Sequence, residues 1–564
     1  MAEAPEEGPG GDVETAAHRY NRILARILGA MEAEFAPIEL AWENQAVIRT
    51  LSACMTLSAV PSSGLHRSLL LYLKCDVFRG EVSPALKYWV GIEGLFARFF
   101  AWLRRRLPNE RQRLLAITIV AGGLCGLAAV AFHVCCFRLY ALLIDRATAA
   151  PGHSWIWWTI LTPVLGGLIV GLGLTYWVPA AAGSGIPQVK TAYTFRFGTI
   201  TLKETVGKFV LCAMQLGSGA SLGLEGPTVQ ICAGVSNFLA RIARLSPVNS
   251  RRMASVGMAA GIAAAFNAPI AAVTFTLEEL IGSLDQTMLA GVIVAAALAG
   301  VVEHSILGSN PIFQVPRLQT YTLAKASSLV WYALLGLLAA IVSVAFTDSL
   351  LWLRMWYRRL GRVPKWIQPA TGAAATGALA VVAIQFFHAN GIAGNPYSTL
   401  TQALLGNLPV TAMGVLCVLK LAATVTSYAS GGSGGIFAPA LFMGGMLGGA
   451  VGYLDVTVFH HPADSIGAFA VVGMGAVFAG IVRAPMTSIL IIFEMTGGYG
   501  LVLPLMIANM TAFALARYWR HTPIYEALLE QDGIDLDQKK RPYDPGAGGA
   551  VPQVGPDEEM PLAE

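Results

Sequence analysis

The amino-acid sequence predicts an all-α, multi-pass integral membrane protein made of two related halves whose helices are repeatedly interrupted. Three observations carry that prediction. The 564 residues are 55% hydrophobic and only 13% charged, with a mean hydropathy of +0.59, outside the range of soluble globular chains. Long apolar runs recur from about Leu114 to Leu515, including Leu114–Phe132, Ile156–Val178, Met288–Val302, Leu329–Phe346 and Ala370–Phe387. Between them lie apolar stretches too short or too rich in Gly and Pro to span as plain helices, tolerated in a bilayer only where the backbone is buried in protein or lines a cavity.

In chain order, residues 1–109 form an N-terminal extension: 1–14 read as disordered, and Gly94–Leu103 as an amphipathic helix lying on the membrane surface. The acidic, Gly- and Pro-bearing start does not resemble a cleavable signal peptide. A membrane domain follows over 110–531, with halves at about 112–310 and 323–520, and 532–564 reads as a disordered tail. Arg104, Arg105, Arg106, Arg111 and Arg113 precede the first long run, and Arg517, Arg520, Lys539, Lys540 and Arg541 follow the last, which places both termini in the cytoplasm. The net charge of +4 gives no reason to expect a nucleic-acid partner. The eight cysteines form no C-x-x-C pair and no histidine stands at zinc-ligand spacing, so neither a metal nor a cofactor is expected.

The halves are visible as an internal repeat. Gly257-Met258-Ala259-Ala260-Gly261, Ala268-Pro269 and Glu278 recur 216 positions later in Gly473-Met474-Gly475-Ala476, Ala484-Pro485 and Glu494. Glu225-Gly226-Pro227 matches Phe437-Ala438-Pro439 at an offset of 212. Paired interrupted segments in two halves point to a binding site near the midplane.

Four interruptions carry the chemistry: Gly183-Ser184-Gly185-Ile186-Pro187, Gly223-Leu224-Glu225-Gly226-Pro227, Gly434-Gly435-Ile436-Phe437-Ala438-Pro439 and Thr522-Pro523-Ile524-Tyr525. In each, Gly or Pro stands at an expected helix start, where unpaired N–H groups and the positive end of the dipole hold an anion without a full positive charge. Glu225 is an ionisable group at membrane depth, which costs on the order of 3 kcal/mol and marks an ion or proton pathway.

These motifs, in this order, with Ala268-Pro269 to Glu278-Glu279 and Arg483-Ala484-Pro485 to Glu494-Met495 between them, resemble the CLC family of chloride channels and proton-coupled chloride antiporters over roughly residues 110–530. The resemblance implies inverted halves of tilted and broken helices and a homodimer with one pore per subunit. It implies a chloride site made by the hydroxyls of Ser184 and Tyr525 and the backbone N–H groups of Ile436 and Phe437. It implies that Glu225 is the external gating glutamate and that Glu279 is the internal glutamate that passes protons to it. An acid at 279 favours a proton-coupled chloride antiporter, with a passive chloride channel as the alternative, and the short tail leaves no room for the paired nucleotide-sensing modules of many eukaryotic members. A bacterial-type plasma membrane is the expected location.

The chain departs from the better-known pattern at Leu224, where a basic residue usually precedes the glutamate, and at Gln188 and Lys190, where some bacterial exchangers carry acids. Other readings of single residues exist: Ser184 as a helix cap, Tyr525 as an interfacial anchor, Glu278 and Glu494 as bonds to helix ends or loops. Gly431-Gly432-Ser433-Gly434 also fits the G-x-S-G of intramembrane serine proteases, a chemistry that needs a histidine base at the same depth. A receptor-like or purely structural role gives no reason for four broken-helix motifs.

Overall fold

The computed structural model describes residues 109–281, 286–308, 312–313, 328–361, 363–459 and 465–536. The surface helix expected near residues 94–103 and the tail from residue 537 lie outside them. Among the described residues the chain is helical, and its extended pairings are two isolated bridges, Gly183 with Ser433 and Gly223 with Gly435.

The helices fall into two series of eight among the described residues. The first comprises α1 (Glu110–Tyr140, continued by a π turn over Ala141–Asp145 and a last turn over Arg146–Thr148), α2 (Ser154–Tyr176), α3 (Ile186–Phe195), α4 (Leu202–Gly217), α5 (Glu225–Ile242), α6 (Pro247–Phe266), α7 (Pro269–Phe275, continued by a π turn over Thr276–Ile281) and α8 (Gln286–Leu307). The second comprises α9 (Ser328–Arg359), α10 (Gln368–Phe387), α11 (Tyr397–Leu404), α12 (Val410–Ala429), α13 (Phe437–Phe459), α14 (Ser465–Val482), α15 (Pro485–Thr496) and α16 (Val502–Trp519). A last short helix, α17 (Ile524–Gln531), closes the series. The repeat governs where helices begin and end: α6 and α14 stop at Phe266 and Val482, α7 and α15 start at Pro269 and Pro485, and α5 and α13 start at Glu225 and Phe437.

Nine helical stretches among the described residues are long and apolar enough to cross a bilayer. They include the five expected runs and four more, Val410–Ala429, Phe437–Val458, Ser465–Val482 and Tyr499–Gln531. Lys420 in the first of these and the glycines of α13 in the second dilute the apolar signal there. Those glycines are contact points, because a Cβ at Gly473 of α14 would lie 2.8 Å from the Cα of Gly448 on α13, the small-residue approach used between helices in lipid. Trp157 and Trp158 near the start of α2 and Tyr176 and Trp177 at its end are exposed, as befits two interfacial belts. Helices α3, α7, α11 and α17, of 7 to 10 residues, are too short to span and are the broken helices the sequence predicts.

Repeat-related glutamates cap each other's helices. The Glu278 carboxylate, in the turn after α7, accepts from the N–H groups of Met486 (3.2 Å) and Thr487 (2.9 Å) at the start of α15. Glu494, near the end of α15, accepts from those of Ile270 (3.1 Å) and Ala271 (2.7 Å) at the start of α7. The two helices therefore run antiparallel, each closing the other's positive end. Glu278→Ala removes the acceptor of two amides and of the Thr487 hydroxyl (2.6 Å), and is expected to lower stability by about 1–2 kcal/mol, read as a lower unfolding temperature in detergent. An unchanged temperature defeats the capping assignment.

Past α17 the chain stays engaged: Asp532, the first residue assigned to the tail, pairs with Arg354 at 2.8 Å and with Arg358, both on α9.

Candidate functional site

Four short or interrupted helices begin at the four motifs: α3 at Ile186, α5 at Glu225, α13 at Phe437 and α17 at Ile524. Backbone bonds knit three of these starts together. Gly223 and Gly435 exchange N–H···O bonds of 2.7 and 2.6 Å, Gly183 N–H donates to Gly432 O at 3.0 Å, and Gly434 N–H donates to Gly183 O at 3.0 Å. Glycine is required by the closeness of the approach: a Cβ at Gly226 would lie 2.6 Å from both the carbonyl oxygen and the Oγ of Ser184. The first turn of α5 thus abuts Ser184, with Ile186, Pro187, Pro227, Ala438 and Pro439 packed around the junction, all buried.

The Ser184 Oγ and the Tyr525 hydroxyl are buried and neither has a hydrogen-bond partner within the protein, although the Tyr525 hydroxyl is turned toward Ser184. Buried hydroxyls are nearly always satisfied, so a converging pair that the protein itself does not satisfy is suited to an anion. Ile436 and Phe437, both fully buried, open α13, where the first-turn amides have no helical acceptor. The Phe437 ring packs against Phe266, Phe275, Phe478 and Tyr525 at centroid distances of 5.5, 5.4, 4.8 and 6.5 Å, which locks that helix start to the residue opposite.

Glu225 is fully buried. Its Oε1 accepts from the Tyr397 hydroxyl at 2.6 Å. Its Oε2 lies over Gly223, where a side chain would collide with it, and is turned toward the amides of Glu225 and Ala438, short of full hydrogen-bond geometry. The carboxylate therefore sits at the joined positive ends of α5 and α13, the environment that holds an anion. Glu279, in the π turn after α7, pairs with the Lys190 ammonium at 2.8 Å, both side chains less than a tenth exposed; Lys190 also reaches Glu526 at 3.4 Å, whose side chain is 44% exposed. The Tyr525 hydroxyl lies within electrostatic reach of both Glu225 and Glu279.

Two buried cations brace the site. Lys208 donates to the carbonyls of Ala181 (2.9 Å) and Gly183 (2.6 Å), and Lys420 to those of Gly391 (2.9 Å) and Ile392 (3.2 Å). Each stands 17 residues before the start of the next long broken helix, Glu225 or Phe437, so the 212-residue offset carried the signal for them. Tyr428, whose hydroxyl accepts from Ser184 N–H at 3.2 Å, and Tyr397 carried no such signal. The Ser433 hydroxyl donates to Ala181 O at 2.6 Å; that bond engages the hydrogen a nucleophilic serine gives to its base.

Comparison with known proteins agrees with the family and the fold. The family described as "Voltage gated chloride channel" matches residues 166–517. The "H(+)/Cl(-) exchange transporter ClcA" of Salmonella arizonae is 31% identical over 441 residues, covering 76% of this chain and 91% of that protein. Among solved structures, a slow cyanobacterial Cl−/H+ antiporter superposes with a TM-score of 0.69 at 24% identity, covering 76% of this chain and 99% of that one. A eukaryotic CLC transporter superposes with a TM-score of 0.62 at 20% identity, covering 75% and 74%.

Proposed function

The chain belongs to the voltage-gated chloride channel (CLC) family, and from that premise we propose that it is a proton-coupled chloride antiporter in which Glu225 is the gate and Glu279 the internal proton carrier. The observation that carries the proposal is the placement of the Glu225 carboxylate at the meeting point of two helix N-termini, with the unsatisfied Ser184 hydroxyl against the first turn of α5 and the unsatisfied Tyr525 hydroxyl within electrostatic reach. An ionised carboxylate there competes with chloride for one electrostatic site. A proton neutralises it, releases it and admits the anion, so chloride and proton movements are linked. Ser184, Tyr525 and the amides of Ile436 and Phe437 hold the chloride; no organic cofactor or metal is called on.

The name of the Salmonella relative supports exchange. The alternative, passive conduction, is favoured by the Lys190–Glu279 ion pair, which gives Glu279 a structural role. Protein in liposomes with an imposed chloride gradient separates the two: exchange drives protons uphill, whereas chloride flux without coupled proton movement leaves a channel. On the same reading we infer a homodimer with one pore per subunit in a bacterial plasma membrane, and the basic residues flanking the first and last apolar runs support cytoplasmic termini.

A further inference from the structure

We propose that Tyr397 is a positioning residue for the gate: its hydroxyl holds the ionised Glu225 carboxylate in the anion pathway, so a proton must release this bond as well as neutralise the charge. The inference rests on the reading of Glu225 as the gate. The 2.6 Å separation lies in the range of a hydroxyl donating to an ionised carboxylate, a bond about twice as strong as one between neutral groups.

Tyr397 is the first residue of α11 and is fixed from several sides. The loop before it is held by Lys420 through the carbonyls of Gly391 and Ile392, by Tyr140 donating to Ala393 O at 3.3 Å, and by Gly394 N–H donating to Gly219 O at 3.2 Å. The Tyr397 N–H donates to Asn395 Oδ1 at 3.1 Å, and the ring meets the edge of Phe313 at 5.6 Å. The hydroxyl is thus presented by an anchored backbone, the condition for orienting a partner rather than following it. The bond borders a small cavity whose walls include Leu224, Cys136, Phe137 and Asn395.

The sign of the effect follows. A donor to the ionised form favours that form, and a neutral acid gains less from the same hydroxyl. The other titratable groups facing Glu225 are Lys420 from α12, Tyr525 from α17 and the thiols of Cys136 from α1 and Cys212 from α4; all remain in the Tyr397→Phe variant. Without the hydroxyl, protonation and release occur in less acidic solution.

The test is chloride efflux from liposomes containing the full chain, measured across pH for the native protein, Tyr397→Phe, Tyr397→Leu and Glu225→Gln. Tyr397→Phe keeps the ring and its contact with Phe313, and its flux–pH profile is expected to move about one unit toward alkaline pH. Tyr397→Leu is expected to move it at least as far. A native profile in Tyr397→Phe with a changed one in Tyr397→Leu assigns the residue to packing and overturns the inference. If Glu225→Gln flattens the pH dependence while Tyr397→Phe leaves it native, only the role of Tyr397 fails. If Glu225→Gln itself keeps the native profile, the gate reading fails and the inference with it.

Discussion

Chloride is expected to keep crossing a bilayer that contains the Glu225→Gln variant, while uphill proton movement falls to the passive leak. Gln keeps the length and planarity of the side chain and can still accept from the Tyr397 hydroxyl, so the fold around the site is preserved. It can neither carry an exchangeable proton nor present a negative charge to the positive ends of α5 and α13. Removing a positioned proton carrier typically costs on the order of 10²-fold or more in the step it serves, here the whole of the coupled proton flux. The anion loses its tethered competitor, so chloride flux persists and its dependence on pH weakens. The measurement is simultaneous: a chloride electrode and a pH electrode outside the same liposomes. Protons still driven uphill by a chloride gradient overturn the assignment of the gate.

The positions of the helix starts were legible in the sequence because they are set by local chemistry. Proline is favoured in the first turn and glycine at close backbone approach, and both act without knowledge of tertiary structure; hence α3, α5, α13 and α17 begin at the motifs that name them. The repeat was legible because the same backbone is built twice. It placed Glu278 and Glu494 as equivalents, although their mutual capping appears only when the two halves are folded against each other. Tyr397 was not legible, since an aromatic after Gly394-Asn395-Pro396 reads as a helix start or an interfacial anchor until Glu225, 172 positions away, is brought to its hydroxyl. The buried lysines share the 212-residue offset, but their role was not legible for a different reason. A cation inside an apolar run reads as an interruption of a span, whereas in the structure its carbonyl partners make it an internal brace.

Glu279→Gln is expected to abolish proton coupling as completely as Glu225→Gln, from the opposite side of the central site. The side chain is 8% exposed and bonded to Lys190, whose ammonium also reaches the more exposed Glu526. When Glu279 takes up a proton, Lys190 loses a full ionic partner but retains Glu526, so the buried cation is not left unpaired and the proton can be held without disrupting α3. A passive channel in which Glu279 is only half of a structural pair makes a different forecast. There, Glu279→Gln harms stability and leaves ion movement as it was. Lys190→Met separates the two contributions. It leaves the Glu279 charge buried without its partner, a loss of roughly 3–5 kcal/mol when one member of such a pair is removed. The double variant Lys190→Met with Glu279→Gln leaves no unpaired buried charge at either position and is expected to recover most of that stability, seen as a restored unfolding temperature, while protons stay uncoupled from chloride. Uphill proton movement by Glu279→Gln excludes it as the proton carrier, and a double variant as unstable as Lys190→Met alone excludes the ion pair as the source of the loss.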